Sequence, residues 1–204
     1  MNRKAHWEQV YREQAPHSVS WYQRTPELSL ALIAKTGVSP DAWIIDVGAG
    51  ASMLVDHLLE AGYRHLAVLD ISAAALAHAR QRLGPKADRV EWYEADITEF
   101  QPPRSFDVWH DRAVFHFLTE PAERARYAAA LRRTLKPGGH AIVATFAVGG
   151  PTRCSGLDIV QYDGAALLRE LGSGFTLQEE VGEVHLTPGG REQPFTYFRL
   201  SRSP

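Results

Sequence analysis

Two glycines, Gly48 and Gly50, stand in the segment IIDVGAGAS, Ile44 to Ser52, directly after an apolar run and an acid, Asp46. Glycine at such a turn lets backbone approach a ligand closely, and the N–H groups of a following helix point toward negative charge. Twenty residues beyond Gly50, Asp70 closes a second apolar run, where a carboxylate can accept hydrogen bonds from ribose hydroxyls. Either feature has an ordinary structural reading, a tight turn for the glycines and a cap neighbouring Ser72 for the acid. Together they point to an adenosine-containing ligand. A second polar cluster lies in WHDRAVFHFL, Trp109 to Leu118, where His110, Asp111, Arg112 and His116 sit among apolar residues.

The elements that would position these groups alternate between short apolar runs and amphipathic stretches, the pattern of βαβ units building a parallel sheet. Strands are predicted at Trp43 to Val47, His65 to Leu69, Arg89 to Tyr93, Phe106 to His110 and Ala141 to Ala147. Helices are predicted at Ala51 to Ala61, Ala73 to Leu83 after the Ser72 cap, and Pro121 to Leu135, the last stopped by Pro137-Gly138-Gly139. After a helix at Gly164 to Leu171, the runs Phe175 to Val184 and Phe195 to Leu200 are joined by HLTPGG, too short for anything but antiparallel pairing. Two further helices, Lys4 to Gln14 and Pro26 to Lys35, precede the first strand. The fold class is α/β, a Rossmann-like, doubly wound, mostly parallel seven-stranded sheet with helices on both faces and a C-terminal antiparallel hairpin. Residues 1–40 are expected to form a helical lid segment on a ligand-binding core of residues 41–204, one domain overall.

Composition narrows the function. With 204 residues, 45% hydrophobic and 23% charged, the chain is an ordinary globular protein, and a net charge of −2 provides no global field toward nucleic acid or anionic membrane. The longest apolar run, Ala141 to Val148, is far shorter than the roughly 20 residues that span a bilayer. The N-terminus lacks the apolar centre of a secretory signal. The single cysteine, Cys154, makes neither an internal disulfide nor a zinc cluster. A cytoplasmic protein without a metal is expected.

Two ligands suit the glycine turn, a dinucleotide and S-adenosylmethionine. The dinucleotide fingerprint needs a small residue three positions after Gly50, where Met53 stands, and a second mononucleotide-binding half, where this chain has a hairpin. An NAD-dependent oxidoreductase is therefore a distant alternative, as is a non-catalytic adenosine-binding module. DVGAGAS resembles the first motif of the class I, seven-stranded S-adenosylmethionine-dependent methyltransferases. VLDIS, Val68 to Ser72, is similar to that family's ribose-binding strand end, EADITEF to its adenine-binding segment, and LKPGGHAIVATF to its turn into the fifth strand. The resemblance runs from Trp43 to Leu200 and implies S-adenosylmethionine as cofactor. It implies Asp46, Gly48, Ala49, Gly50, Ser52, Asp70, Ile71, Asp96 and Ile97 as cofactor residues, with His110 and Trp21 beside them. Ser52 departs from the third glycine frequent in the family; its hydroxyl can cap the helix and donate to a carboxylate.

Methyl transfer from a sulfonium is an in-line displacement that chiefly requires donor and nucleophile to be held in line. The loop after the fourth strand is the expected acceptor wall, with His110 as a base, Asp111 orienting it or touching the cofactor, and Arg112 clamping an anionic substrate. The alternative there is an Asp111–Arg112 ion pair that only stabilises the loop. VGGPTRCSGLDIVQY, with Arg153, Cys154, Ser155 and Tyr162, is a second candidate wall, in which Cys154 reads as a small buried thiol. Trp7 and Tyr11 share a helix face, and Trp21 and Tyr22 are placed to close the site. HWEQVY followed by SWYQ resembles the start of some protein lysine methyltransferases. The acceptor is expected to be an N, O or S nucleophile of a small molecule, with a protein lysine as the alternative. Nucleic acid is disfavoured because HDRA stands where an Asn-Pro-Pro-aromatic tetrapeptide would be.

Overall fold

A computed structural model describes residues 2–204. Two helices, α1 (Arg3–Glu13) and α2 (Glu27–Ala34), lead into the alternating core of β1 (Trp43–Val47), α3 (Leu54–Glu60), β2 (His65–Asp70), α4 (Ala73–Leu83), β3 (Val90–Glu94), β4 (Phe106–Arg112), α5 (Pro121–Thr134) and β5 (Leu135–Phe146). A two-residue hairpin follows, β6 (Arg153–Cys154) with β7 (Leu157–Asp158), then α6 (Gly164–Leu171), β8 (Phe175–Leu186) and β9 (Glu192–Arg202). The main sheet has seven strands in the order β3-β2-β1-β4-β5-β9-β8. β1 to β5 are mutually parallel, and β9 runs antiparallel to both β5 and β8. This is the architecture expected from the alternation of apolar runs.

Strand residues feed two cores by turns because successive side chains leave a strand on opposite faces. Ile45, Val47, Trp109 and Val143 pack with Tyr127 and Leu131 of α5 and Leu167 of α6. Ile44, Val108 and Ile142 pack on the other side with Leu32 and Ile33 of α2, Leu54 and Leu58 of α3 and Leu76 of α4. Being apolar on both faces, these strands read as continuous runs. The chain leaves β1 toward β2 on one side and later returns to β4 on the other, so the order reverses between β1 and β4. In open α/β sheets that crevice, outside the carboxyl ends of the strands, is where ligands bind.

Several boundaries differ from expectation, β4 among them, which runs on to Arg112 rather than ending at His110. α3 starts at Leu54 rather than Ala51, because residues 50–53 turn, with Ser52 N–H donating to Ala49 O at 2.8 Å and Ser52 Oγ accepting from Leu54 N–H at 3.1 Å. β5 begins at Leu135, before Pro137-Gly138-Gly139, which forms a bulge inside the strand rather than a turn ahead of it. Buried Leu135 pairs with Phe106, then the register shifts so that His140 pairs with Val108. The C-terminal strands are also longer than their apolar segments, because β9 is hydrogen-bonded on both sides and carries polar residues to its ends.

Candidate active site

The loop after β1 and the end of β2 are tied together by one carboxylate. Asp70 accepts from Gly50 N–H at 2.7 Å and from Ser72 N–H at 2.8 Å, and burial pushes its carboxyl up to about 6. Gly48 and Gly50 both adopt positive φ, +60° and +56°. A Cβ on Gly48 would lie 1.9 Å from Val114 Cγ2, and one on Gly50 would lie 2.0 Å from the Tyr11 hydroxyl oxygen. Both glycines are thus required twice over, for the turn's handedness and for the side chains packed against it.

Helix α1 lies across this loop. Ser72 caps α4 through Ala75 N–H, and Glu8 of α1 accepts from the Ser72 hydroxyl at 2.7 Å and from Ala74 N–H at 3.2 Å. Those hydrogen bonds, the Ser72 hydroxyl first, hold the Glu8 carboxyl below the usual range. Arg3 reaches Asp96 at 3.3 Å and also pairs with Glu123, while Lys4 meets Glu94 at 2.5 Å. Trp7 stands edge-on to Trp21 and Phe117, ring centroids 5.7 and 5.1 Å apart, and Trp21 Nε1 donates to the Tyr11 hydroxyl at 3.2 Å. Neither Tyr11 nor Arg3 was singled out as a site residue by sequence; the Trp7–Tyr11 spacing was the one available signal.

The resulting cleft encloses about 790 Å³ of space, part of it open to solvent. Gly48, Asp70, Ile71, Asp96 and Ile97 line it near β1, β2 and β3; Arg112, Phe117, Phe146, Cys154, Gln193 and Phe195 line it toward β5 and β9. A smaller cavity beside it is lined by Asp46, Ala49, Ser52, His110 and Ser29, and it shares Gly48, Trp21 and Arg112 with the first. Of the residues expected to hold cofactor, Gly50 lines neither cavity and contributes through its N–H to Asp70.

His110, expected as a base at the acceptor wall, borders the smaller cavity. Both ring nitrogens are engaged, Nδ1 with Asp46 Oδ1 at 2.7 Å and Nε2 with Ser29 Oγ at 2.9 Å. All three residues are buried, and the second carboxylate oxygen of Asp46 is buried with no partner. Ser29, on an apolar helix, carried no sequence signal.

Asp111, expected beside His110, is placed on the opposite face of β4. Its carboxylate accepts from Val114 N–H at 2.9 Å, Phe115 N–H at 3.2 Å and the Tyr127 hydroxyl at 2.5 Å, and it lines neither cavity. It forms no ion pair with Arg112, which turns instead to Glu183. Burial raises the Asp111 carboxyl to about 6. Asp111→Ala would leave three buried donors unmet, and it is expected to cost about 3 kcal/mol or more of stability without any ligand. Urea unfolding of the ligand-free protein checks this; unchanged stability would return Asp111 to the list of candidate reacting groups.

His116 accepts from Phe146 N–H at 3.3 Å through Nδ1, and burial pushes it down to about 3, leaving it neutral. Burial likewise pushes the Cys154 thiol up to about 11. Arg112 is held on three sides: Nε donates to the Tyr197 hydroxyl at 2.8 Å, Nη1 donates to Trp21 O at 3.1 Å, and the guanidinium lies 4.4 Å over the Phe195 ring.

S-adenosylmethionine, the cofactor implied by the resemblance, can be tested against this donor set. Its ribose needs a carboxylate at the end of β2, which Asp70 supplies. Its ammonium needs a buried acceptor, and the partnerless Asp46 oxygen is one. Its adenine needs apolar walls with an acid nearby, as Ile71, Ile97 and Asp96 offer. The residues fit the group.

Comparison with known proteins agrees with that fit. A family model described as a methyltransferase domain matches residues 44–139. The bovine (Bos taurus) eEF1A lysine and N-terminal methyltransferase is 25% identical over 149 residues, 70% of this chain but 21% of that protein, so the chain spans about a fifth of that relative. A probable thiol methyltransferase of Arabidopsis thaliana is 27% identical over 156 residues, 74% of this chain and 67% of that protein. Among solved structures, the Burkholderia thailandensis 1,6-didemethyltoxoflavin-N1-methyltransferase, with bound 1,6-didemethyltoxoflavin and S-adenosylhomocysteine, superposes with a TM-score of 0.73 at 20% identity. The match covers 98% of this chain and 87% of that one, a likeness of fold.

Proposed function

We propose that the chain, whose residues 44–139 match a methyltransferase domain model and whose fold is that of S-adenosylmethionine-dependent methyltransferases, transfers the methyl group of S-adenosylmethionine to a nitrogen, oxygen or sulfur nucleophile of a small molecule. The observation that carries this reading is the continuity of the main cleft. One lining set, Asp70, Ile71, Asp96 and Ile97, suits an adenosine, and the same cavity extends to an aromatic chamber at Phe117, Phe146 and Phe195. A concave, aromatic-lined recess of that kind suits a small molecule better than a side chain on a folded protein.

When bound, S-adenosylmethionine would supply an electrophilic methyl on a sulfonium. The chain's own part is to hold and to enclose. Asp70 would accept from the ribose, Asp46 would meet the ammonium, and the glycine turn would let both approach. His110 and Ser29 fix Asp46 in place, so they are positioning residues in this reading. Residues 1–40 act as a lid on the 41–204 core, fastened through Arg3, Lys4 and Glu8, and excluding water raises the worth of every polar contact beneath. No helix among the described residues is long and apolar enough to cross a membrane, and a cytoplasmic setting suits this chemistry.

The test is transfer of label from [methyl-³H]S-adenosylmethionine into an extract of the source cell, fractionated into small molecules, proteins and nucleic acids. Label is expected in the small-molecule fraction. Label confined to protein would replace this reading with the lysine methyltransferase one, and none in any fraction would leave a binding module.

A further inference from the structure

We propose that the methyl acceptor is an uncharged planar molecule that gives a hydrogen-bond acceptor to Arg112 and a second polar group to the Gln193 amide; this rests on the methyl-transfer reading of the cleft. Sheet order separates the two ends of the cavity. Asp70 ends β2 and Asp96 follows β3 on one side of the switch point, whereas Phe146 and Phe195 sit on β5 and β9 on the other. The second end is the space left for an acceptor.

Its walls are aromatic. Phe146 and Phe195 are register partners on β5 and β9, with ring centroids 4.8 Å apart, and Phe117 stands nearby against Trp7. Flat rings favour a flat guest through offset and edge-to-face contacts. Gln193 and Phe195 are two apart on β9, so they share a face of the strand.

Two residues of this lining each carry a buried polar atom without a hydrogen-bond partner. Arg112 Nη2 is buried without a hydrogen bond, and so is the Gln193 amide oxygen. A buried donor or acceptor left unmet is costly, so a guest that satisfies both is favoured over one of equal size that does not.

Charge decides the class. Arg112 alone would argue for an anion, but its charge is already balanced. The Glu183 carboxylate lies 3.8 Å from Nη2, and the Tyr197 hydroxyl, which accepts from Arg112 Nε–H, donates to Glu183 at 3.0 Å. The neighbouring His116 and Cys154 are neutral. An anionic acceptor would have to shed its water among aromatic rings and then face Glu183 as well. A carbonyl or ring nitrogen satisfies Nη2 without either penalty.

Three probes separate these possibilities in calorimetric titrations of the full chain saturated with S-adenosylhomocysteine: benzamide, benzoate and cyclohexanecarboxamide. Benzamide is expected to bind about tenfold or more tightly than benzoate, through charge, and than cyclohexanecarboxamide, through planarity. Gln193→Leu is expected to weaken benzamide about fivefold to tenfold, with S-adenosylhomocysteine affinity measured alongside as the control for folding. Benzoate binding as tightly as benzamide would overturn the proposal. So would failure of all three probes on cofactor-loaded protein, or an unchanged benzamide affinity in Gln193→Leu. Failure of S-adenosylhomocysteine itself to bind would be a different result, removing the methyl-transfer reading and this proposal with it.

Discussion

Asp70→Ala is expected to raise the dissociation constant for S-adenosylmethionine at least about a hundredfold. Two ribose hydroxyls donating to a carboxylate are charge-assisted hydrogen bonds worth about 1.5–3 kcal/mol each, and each 1.4 kcal/mol is tenfold. The loss is compounded because Asp70 also holds Gly50 N–H and Ser72 N–H, so its removal loosens the turn that the rest of the cofactor uses. Asp70→Asn separates these effects by keeping the shape and losing the charge. The same residue gives the binding a pH signature. Burial places the Asp70 carboxyl at about 6 in the ligand-free protein, so it is ionised above that pH and increasingly protonated below it. Protonation replaces an acceptor with a donor. Wild-type affinity is therefore expected to be flat above about pH 7 and to fall on acidification through 6, whereas Asp70→Asn is weak and flat over the same range. Calorimetry at each pH on protein shown to be folded by circular dichroism checks both. An Asp70→Ala affinity within a few-fold of wild type would remove this carboxylate from the site.

Gly48→Val is the second large effect, and it falls on stability and binding together. The positive φ costs about 1–2 kcal/mol for any residue with a Cβ, and forcing extra methyl groups into a packed site costs about 1–3 kcal/mol more. The Val114 methyl 1.9 Å from the new Cβ belongs to a β-branched side chain with little freedom to yield. Unfolding in urea is expected to show a loss of about 3 kcal/mol or more, and the folded fraction is expected not to bind cofactor. Gly138→Ala is the control: its φ is +75° but nothing lies within 4 Å of the added carbon, so only the conformational cost of about 1–2 kcal/mol applies. Equal losses in the two variants would mean that the contact with Val114 carries no weight.

The parts of this molecule that could be read from sequence are those whose chemistry is local. Strands buried on both faces are bound to be continuous apolar runs, so β1, β2 and β4 could be read directly, as could the glycine turn with Asp70 at its companion position. Asp111 shows how a local reading goes astray. His110 and Asp111 are neighbours in the chain, and grouping them as base and orienter ignored that alternate residues of a strand leave on opposite faces. His110 and Arg112 turn toward the cavities, while Trp109 and Asp111 turn to Tyr127 of α5. The alternation was available in the sequence once β4 was extended to Arg112. Ser29, Tyr11 and Gln193 are of another kind. They enter the site from helices and a hairpin far along the chain, and a serine within ELSLALIA or a glutamine in a turn-proximal strand has no spacing that marks it. The bulge at Pro137-Gly138-Gly139 was hidden for the same reason, since only pairing with β4 makes Leu135 a strand residue.

The cavity's assignment to S-adenosylmethionine is tested most directly by calorimetric titration of the full chain with S-adenosylhomocysteine and, separately, with NAD. The account predicts saturable one-to-one binding of S-adenosylhomocysteine, lost in Asp70→Ala, and no heat with NAD. Saturable binding of NAD with none of S-adenosylhomocysteine would contradict it.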